Sequence, residues 1–132
     1  MITRIRRGCA RFGMSDFRKL RVWRAAQALV VDAYRVTRSM RGPQSASTAD
    51  QLNRATMSVP RNIIEGNAHE SPRERARYFR YAIASISESE GHIQTGYDLQ
   101  MITRDDFDRL VAQVVEIRKM LYGLLKSRGK EP

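Results

Sequence analysis

The chain has 132 residues, and its 24 Lys and Arg residues against 14 Asp and Glu residues leave a formal net charge of +10. This length suits one domain with a single core, and no uninterrupted apolar run is long enough to cross a membrane. Because almost all of the basic residues are Arg, which pairs well with phosphate oxygens, nucleic acid or another polyanion is the favoured partner; the equally weighted alternative is a basic surface that only maintains solubility.

The positive charge is concentrated in the first third of the chain. Residues 1–13 carry four Arg and no acid, and residues 1–47 hold +9 of the net charge. These residues lack the apolar run of a secretory signal. We therefore predict that residues 1–13 form a disordered extension, with Met14 as an alternative start. Cys9, the only cysteine, allows no internal disulfide, and a reducing cytoplasmic location fits.

Apolar residues recur at alternating spacings of three and four in four stretches, which predicts four helices and no strand. The inward positions of the first helix are Val22, Ala26, Leu29, Ala33, Val36 and Met40. The second helix is predicted to begin with a capping box formed by Thr48 and Gln51, after a loop at 44–47, and to stop at Gly66. Its inward positions are Leu52, Ala55, Val59 and Ile63.

The third and fourth helices have clearer starts. Ser71, Pro72 and Glu74 give the third helix a cap, a first-turn proline and a capping glutamate, and this helix is predicted to reach Leu99 or Gln100. Its inward positions are Ala76, Phe79, Ile83, Ile86, Glu90, Ile93 and Tyr97. The fourth helix is predicted to begin after Thr103, with Phe107, Leu110, Val114, Ile117, Leu121 and Leu124 inward. Short connections favour an antiparallel, up-and-down four-helix bundle over 14–127, with a tail at 128–132.

Pro60 falls inside the second helix, where it lacks an amide donor and crowds the preceding turn. We expect a kink in which the hydroxyl groups of Thr56 and Ser58 satisfy the freed backbone. A ligand site at this proline is the less favoured interpretation.

The residues around Pro60 resemble a known family. Residues 58–66 read SVPRNIIEG, and the motif positions are Ser58, Pro60, Asn62, Glu65, Gly66 and, in the third helix, Glu88. Further matches lie at 17–23, 25–26, 51–52, 54–55 and 85–86, whereas Asn53, Ile83 and Ala84 depart from the family pattern. Over about residues 16–125 the chain therefore resembles the four-helix-bundle proteins encoded by intervening sequences in bacterial 23S rRNA genes, known as S23-like proteins.

This resemblance implies a closed bundle that assembles into a ring-like homo-oligomer, with five subunits favoured. The chain is also similar to the accessory proteins of diversity-generating retroelements, which implies RNA, DNA or a reverse transcriptase as a partner. The resemblance implies no catalytic activity. Trp23 and Tyr34 lie off the core positions, and the apolar surface that they leave supports oligomerisation independently.

Two glutamates of the third helix compete for an inward position. Glu90 lies on the apolar stripe by spacing, whereas Glu88 matches the family motif. A carboxylate in a helix seam is costly unless it is paired. We therefore predict that one of them pairs with Arg54, with the second helix or with another subunit; a catalytic acid is the less favoured alternative.

No catalytic, metal or cofactor site is predicted. His69 and His92 each follow a glutamate by four residues, which is not the Glu-x-x-His spacing of di-iron bundles. The sequence also lacks a phosphate-binding glycine loop and a nucleophile motif. We therefore expect a protein that is not an enzyme and that acts through a binding surface.

Two arginine-rich faces are the candidate nucleic-acid-binding surfaces. Their residues are Arg21, Arg24, Arg35 and Arg38 on the first helix and Arg73, Arg77 and Arg80 on the third, with Tyr78 and Tyr81 nearby. They would contact phosphates, with the tyrosines available for stacking, and solvated helix faces are an equal alternative. Two hypotheses follow: an accessory protein that binds RNA or DNA, and an oligomeric protein-interaction scaffold without nucleic-acid binding.

Overall fold

The computed structural model describes residues 16–131, and the predicted extension at 1–13 lies outside them. A short 3₁₀ turn, Phe17–Lys19, precedes four helices. The helices are α1 (Arg21–Arg38), α2 (Ser45–Ala68), α3 (Pro72–Asp98) and α4 (Arg104–Lys126). Each helix packs against the next, and α1 also packs against α4, whereas the backbones of the diagonal pairs α1–α3 and α2–α4 do not approach closely. The described residues therefore form the all-α, four-helix bundle that the sequence predicts.

The predicted core stripes of α1 and α2 are confirmed, since every one of their inward residues is buried. In α4, Leu110, Val114, Ile117, Leu121 and Leu124 are buried as predicted, and Phe107 is half-buried. The stripe predicted for α3 is only partly right. Ala76, Ile83, Glu90 and Tyr97 are half-buried, and the buried positions include Ala82, Ser85, Ser89 and Gly96 instead. Ser85 lies against Ser58 of α2, whereas Gly96 lies under Ile102. Such small residues allow close packing, and they carry too little apolar surface to mark a stripe in the sequence.

The starts predicted for α3 and α4 are confirmed by their caps. The Ser71 hydroxyl accepts a hydrogen bond from the Glu74 amide, and the Thr103 hydroxyl accepts one from the Asp106 amide. A capping side chain satisfies an amide that has no partner within its own helix. Both predictions rested on residues in the first turn, and the same residues form the caps.

Both boundaries predicted for α2 are wrong. The helix begins at Ser45, a turn before the proposed capping box, so Thr48 is buried inside the helix and its amide donates to the Gln44 carbonyl. It continues to Ala68, past Gly66. Gly66 is buried under Phe79, and a Cβ added there would lie 2.7 Å from the ring carbon Cε1. The glycine allows close packing and does not end the helix.

Pro60 lies buried inside α2, as predicted, but the expected hydroxyl partners differ. The Thr56 hydroxyl donates to the Asn53 carbonyl, and the Ser58 hydroxyl shares a 2.8 Å hydrogen bond with that of Ser85 on α3. Neither hydroxyl satisfies the carbonyl that the proline leaves without its amide donor. The Asn62 side chain donates to both the carbonyl and the hydroxyl of Ser58, so Asn62, Ser58 and Ser85 form a polar cluster between α2 and α3.

One glutamate of α3 forms an ion pair, as predicted, but the partner expected within the chain, Arg54 or another residue of α2, is wrong. Glu90 faces α4, where its Oε1 lies 2.6 Å from Nη2 of Arg118. Glu88 is exposed and lies 3.6 Å from His92, and Arg54 pairs with Asp50 on its own helix. Ser89 occupies the buried position toward α2, which leaves the neighbouring Glu90 on the α4 side of the helix.

Candidate nucleic-acid interface

The arginine-rich face predicted on α1 is an exposed stripe. Arg21, Arg24, Arg35 and Arg38 are all exposed, as are Ala28 and Val31 between them. The stripe divides into two basic pairs, since Arg24 and Arg35 lie about 17 Å apart at 1.5 Å per residue. One pair therefore lies near the start of α1 and the other near its end.

The arginines predicted on α3 form a second exposed group. Arg73, Arg77 and Arg80 are exposed near the start of the helix, together with Tyr81. The Arg77 guanidinium donates to the Tyr81 hydroxyl at 3.0 Å, and this hydrogen bond raises the pKa of Arg77. The Arg77 guanidinium also lies 6.0 Å from the ring centre of Tyr78. An aromatic surface thus accompanies the basic one, as base stacking requires.

The two groups lie on diagonally opposed helices, but α1 and α3 begin at the same end of the bundle. Two contacts of the C-terminal residues establish this. The Arg75 guanidinium of α3 donates to the Arg128 carbonyl at 3.2 Å, and the Glu131 carboxylate accepts from the amides of Arg21 and Val22 at 2.9 and 3.0 Å. Arg21 and Arg24 therefore share an end with Arg73 and Arg77, whereas Arg35 and Arg38 lie at the opposite end.

We call the end at which α1 and α3 begin the basic end. Its cations are Arg18, Lys19, Arg21, Arg24, Arg73, Arg75, Arg77, Lys126, Arg128 and Lys130. Its acids are Asp16, Glu65, Glu70, Glu74 and Glu131. Glu131 is bound to backbone amides, and the Arg18 amide bound to Asp16 lowers the pKa of that carboxyl. The cations therefore outnumber the acids twofold, which gives a positive field that attracts a polyanion.

Several of the predicted arginines also have partners inside the chain. Arg24 donates to the carbonyls of Arg18 and Lys19, and so holds the 3₁₀ turn against α1. Arg35 pairs with Asp32 on its own helix at 3.4 Å. The side chains of Arg21, Arg73 and Arg80 make no hydrogen bond or ion pair with residues 16–131, so they extend freely into solvent.

The sequence reasoning missed two residues that organise this end. Arg75 donates to the carbonyls of His69 and Glu70 as well as Arg128, which ties together the α2–α3 connection and the chain beyond α4. Glu131 caps α1 from 110 residues away. No local pattern marks such long-range contacts; the one available signal was that α1 has no capping side chain of its own.

Residues 16–131 contain neither a metal-binding cluster nor a helix that could span a membrane. No three His, Cys, Asp or Glu side chains converge as a metal ion would require. None of the four helices combines the length and the apolar character needed to cross a membrane.

A comparison with protein families gives one match. Residues 18–123 match the model of a family described as 23S rRNA-intervening sequence protein. The match begins in the 3₁₀ turn and ends in the last turns of α4, so it spans the bundle. No curated protein matches the chain.

Proposed function

Because the chain belongs to the 23S rRNA-intervening sequence protein family, we propose that it is a non-enzymatic, oligomeric accessory protein that binds RNA or DNA through its basic end. The resemblance supports a ring-like homo-oligomer, with five subunits favoured, and a reverse transcriptase as a protein partner. No cofactor is required for this role.

The observation that carries the proposal is the placement of two arginine pairs at one end. Arg21 and Arg24 come from α1 and Arg73 and Arg77 from α3, where contacts of Arg128 and Glu131 hold the two helix starts together. Arginine forks and exposed tyrosine beside them provide phosphate contacts and stacking surfaces.

The test is fluorescence anisotropy with labelled single-stranded RNA, duplex RNA and duplex DNA between about 50 and about 200 mM NaCl, roughly a fourfold range of salt concentration. We expect binding to weaken steeply with salt, since each phosphate contact contributes a slope of about −0.9 on duplex DNA. Changing Arg21, Arg24, Arg73 and Arg77 to Glu should abolish binding.

A matched control carries the same change in charge elsewhere. Arg54, Arg61, Arg109 and Lys119 are exposed and lie outside the basic end. Their change to Glu should lower the affinity only modestly, through the net charge. Equal affinity of the wild type and the basic-end variant for all three probes would refute the proposed contact.

The exposed apolar side chains favour a second candidate, an oligomeric protein-interaction scaffold. Tyr34 and Met57 are 55% and 57% exposed, which is high for large apolar residues. Purification after nuclease treatment separates the two candidates. A scaffold retains a specific polypeptide and shows no salt-sensitive binding to nucleic acid.

A further inference from the structure

The outer face of α1 carries a shallow apolar groove. Trp23, Ala28 and Val31 line it, with Arg24 and Arg35 at its rim. Val31 is 41% exposed at its centre. The groove lies between the two basic pairs of α1. A molecule bound to this face would therefore contact an apolar centre with positive charge at both ends.

The outer face of α4 exposes apolar surface of a similar length. Val115 and Tyr122 are 37% and 55% exposed. A Cβ added at Gly123 would meet nothing within 4 Å, so a neighbouring helix can approach the backbone there. Asp108 and Asp105 are exposed about two and three turns before Val115. This face therefore has an apolar centre and negative charge toward the start of the helix.

The two faces complement each other when the helices run antiparallel. If Val31 of one copy packs against Val115 of another, Arg38 lies two turns after Val31 and faces Asp108, two turns before Val115. Opposite charges at such spacing attract. Arg38 and Asp108 each retain a second neighbour in their own chain, Tyr34 and Arg104, and both are exposed.

The register also matches beyond this pair. At the other end Arg24 faces Tyr122, an arrangement that suits a cation over an aromatic ring. Lys119 faces the uncharged Gln27, so the register opposes no like charges.

From this match we infer that the outer face of α1 binds the outer face of α4 in a second copy of the same chain. The inference rests on the oligomeric state in the proposed function and names the faces that produce it. The contact is head-to-tail, because two different faces meet. It occupies Arg35 and Arg38 in subunit contact and brings Arg24 against Tyr122, and it leaves Arg73 and Arg77 of the basic end accessible to nucleic acid.

The level of the helices favours a closed assembly. Within one chain, the Gln113 side chain of α4 donates to Asp32 of α1 at 3.0 Å, so these residues lie at the same height. Packing Val31 against Val115 of the next copy shifts that copy along the bundle axis by about one residue, or about 1.5 Å, relative to the first. A head-to-tail contact with almost no translation along the bundle closes into a ring when the rotation between neighbouring copies also closes, whereas a large translation would produce a filament.

The test uses one variant for each face, measured by sedimentation velocity. Val31→Glu places a charge in the α1 groove, and Val115→Glu places one on α4. We expect the wild type to sediment as an oligomer and each variant alone to sediment as a monomer. An equimolar mixture should form a dimer and nothing larger, because only one intact pair of faces remains in it.

Met57→Glu is the matched control, since it places the same charge on an exposed apolar position of α2. This variant should retain the size of the wild-type oligomer. If both valine variants keep the size of the wild-type oligomer, the pairing of these two faces is refuted but oligomerisation is not. A mixture of the two variants that stays monomeric would refute the pairing in the same way. A monomeric wild type would refute the oligomeric state itself. Circular dichroism of each variant separates lost association from lost folding.

Discussion

The helical glycines of this chain belong to two groups that differ in what surrounds the Cα atom. Gly66 and Gly96 are buried, and a Cβ at either would lie within 3 Å of Phe79 or Ile102. Gly91 is exposed, and a Cβ there would meet nothing within 4 Å. Glycine inside a helix is less stable than alanine by about 0.5–1 kcal/mol, because it loses more backbone freedom on folding. The buried glycines offset this cost by close packing, and Gly91 does not.

Gly91→Ala is therefore expected to raise the free energy of unfolding by about 1 kcal/mol. Gly66→Ala is its counterpart and should lower it, since the aromatic ring of Phe79 must move. Urea denaturation followed by circular dichroism measures both changes. Equal effects of the two substitutions would contradict the packing role of Gly66.

Gln100 ends α3 in a backbone conformation that glycine adopts more readily. Its φ is +62°, and its amide donates to the Tyr97 carbonyl while that of Met101 donates to the Gly96 carbonyl. These two bonds form the helix-ending motif in which glycine is the usual residue. Left-handed backbone costs a residue with a side chain about 1–2 kcal/mol.

Gln100→Gly should accordingly stabilise the protein, by roughly 0.5–1 kcal/mol after the greater freedom of glycine in the unfolded chain is subtracted. Thermal melting and urea denaturation provide the measurement. Leu99→Gly, one residue earlier at a φ of −86°, should instead destabilise. A loss of stability in the Gln100 variant would show that the side chain of Gln100 makes a contribution larger than the strain.

Among the elements, helix starts show how far local sequence predicts structure here. Ser71 and Thr103 cap the helices that follow them, and their sequence context alone was sufficient to place both starts. The start of α2 has no capping side chain, so the pattern at Thr48 was misread as a start. The cap of α1 comes from Glu131, which no pattern near residue 21 could indicate. Local chemistry is readable in the sequence, whereas partners brought together by the fold are not.

Glu131→Ala should remove the cap of α1 and lower the free energy of unfolding by about 1 kcal/mol, within the range of about 0.5–2 kcal/mol for lost caps. Amide exchange at Arg21 and Val22 should accelerate at the same time. Lys130→Ala is the neighbouring control and should change neither quantity, because its side chain is exposed and only its carbonyl is hydrogen-bonded. Unchanged exchange at both amides in the Glu131 variant would contradict the cap.

In the whole molecule, the two arginine pairs of α1 lie at opposite ends of the bundle, whereas arginines of α1 and α3 that are distant in sequence lie at the same end. Helical spacing predicted that Arg21, Arg24, Arg35 and Arg38 share a face, and they do. Residue spacing within α1 gives no information about α3. Only the tertiary structure shows that the start of α3 lies at the same end of the bundle as the start of α1. The candidate site was thus predictable residue by residue but not as one surface.

The concentration of positive charge predicts how stability depends on salt. Between 10 and 150 mM NaCl the screening length falls from about 30 to about 8 Å, which weakens repulsion among the cations of the basic end. The melting temperature should therefore rise over this range.

Lys126→Gln with Lys130→Gln should reduce that rise, because both cations belong to the basic end. Arg61→Gln, which removes an exposed cation of α2 outside the basic end, should leave it unchanged. Differential scanning fluorimetry at matched protein concentration measures the effect. A melting temperature that falls with salt would show that ion pairs outweigh the repulsion.

The capping of α1 by Glu131 also sets an order of events during protein synthesis. Chains are made from the N-terminus and begin to fold as they emerge. Arg21 and Val22 are made some 110 residues before the carboxylate that binds their amides. All four helices can thus form while the first turn of α1 still lacks its cap. The helix that is made first is consequently the last to be completed.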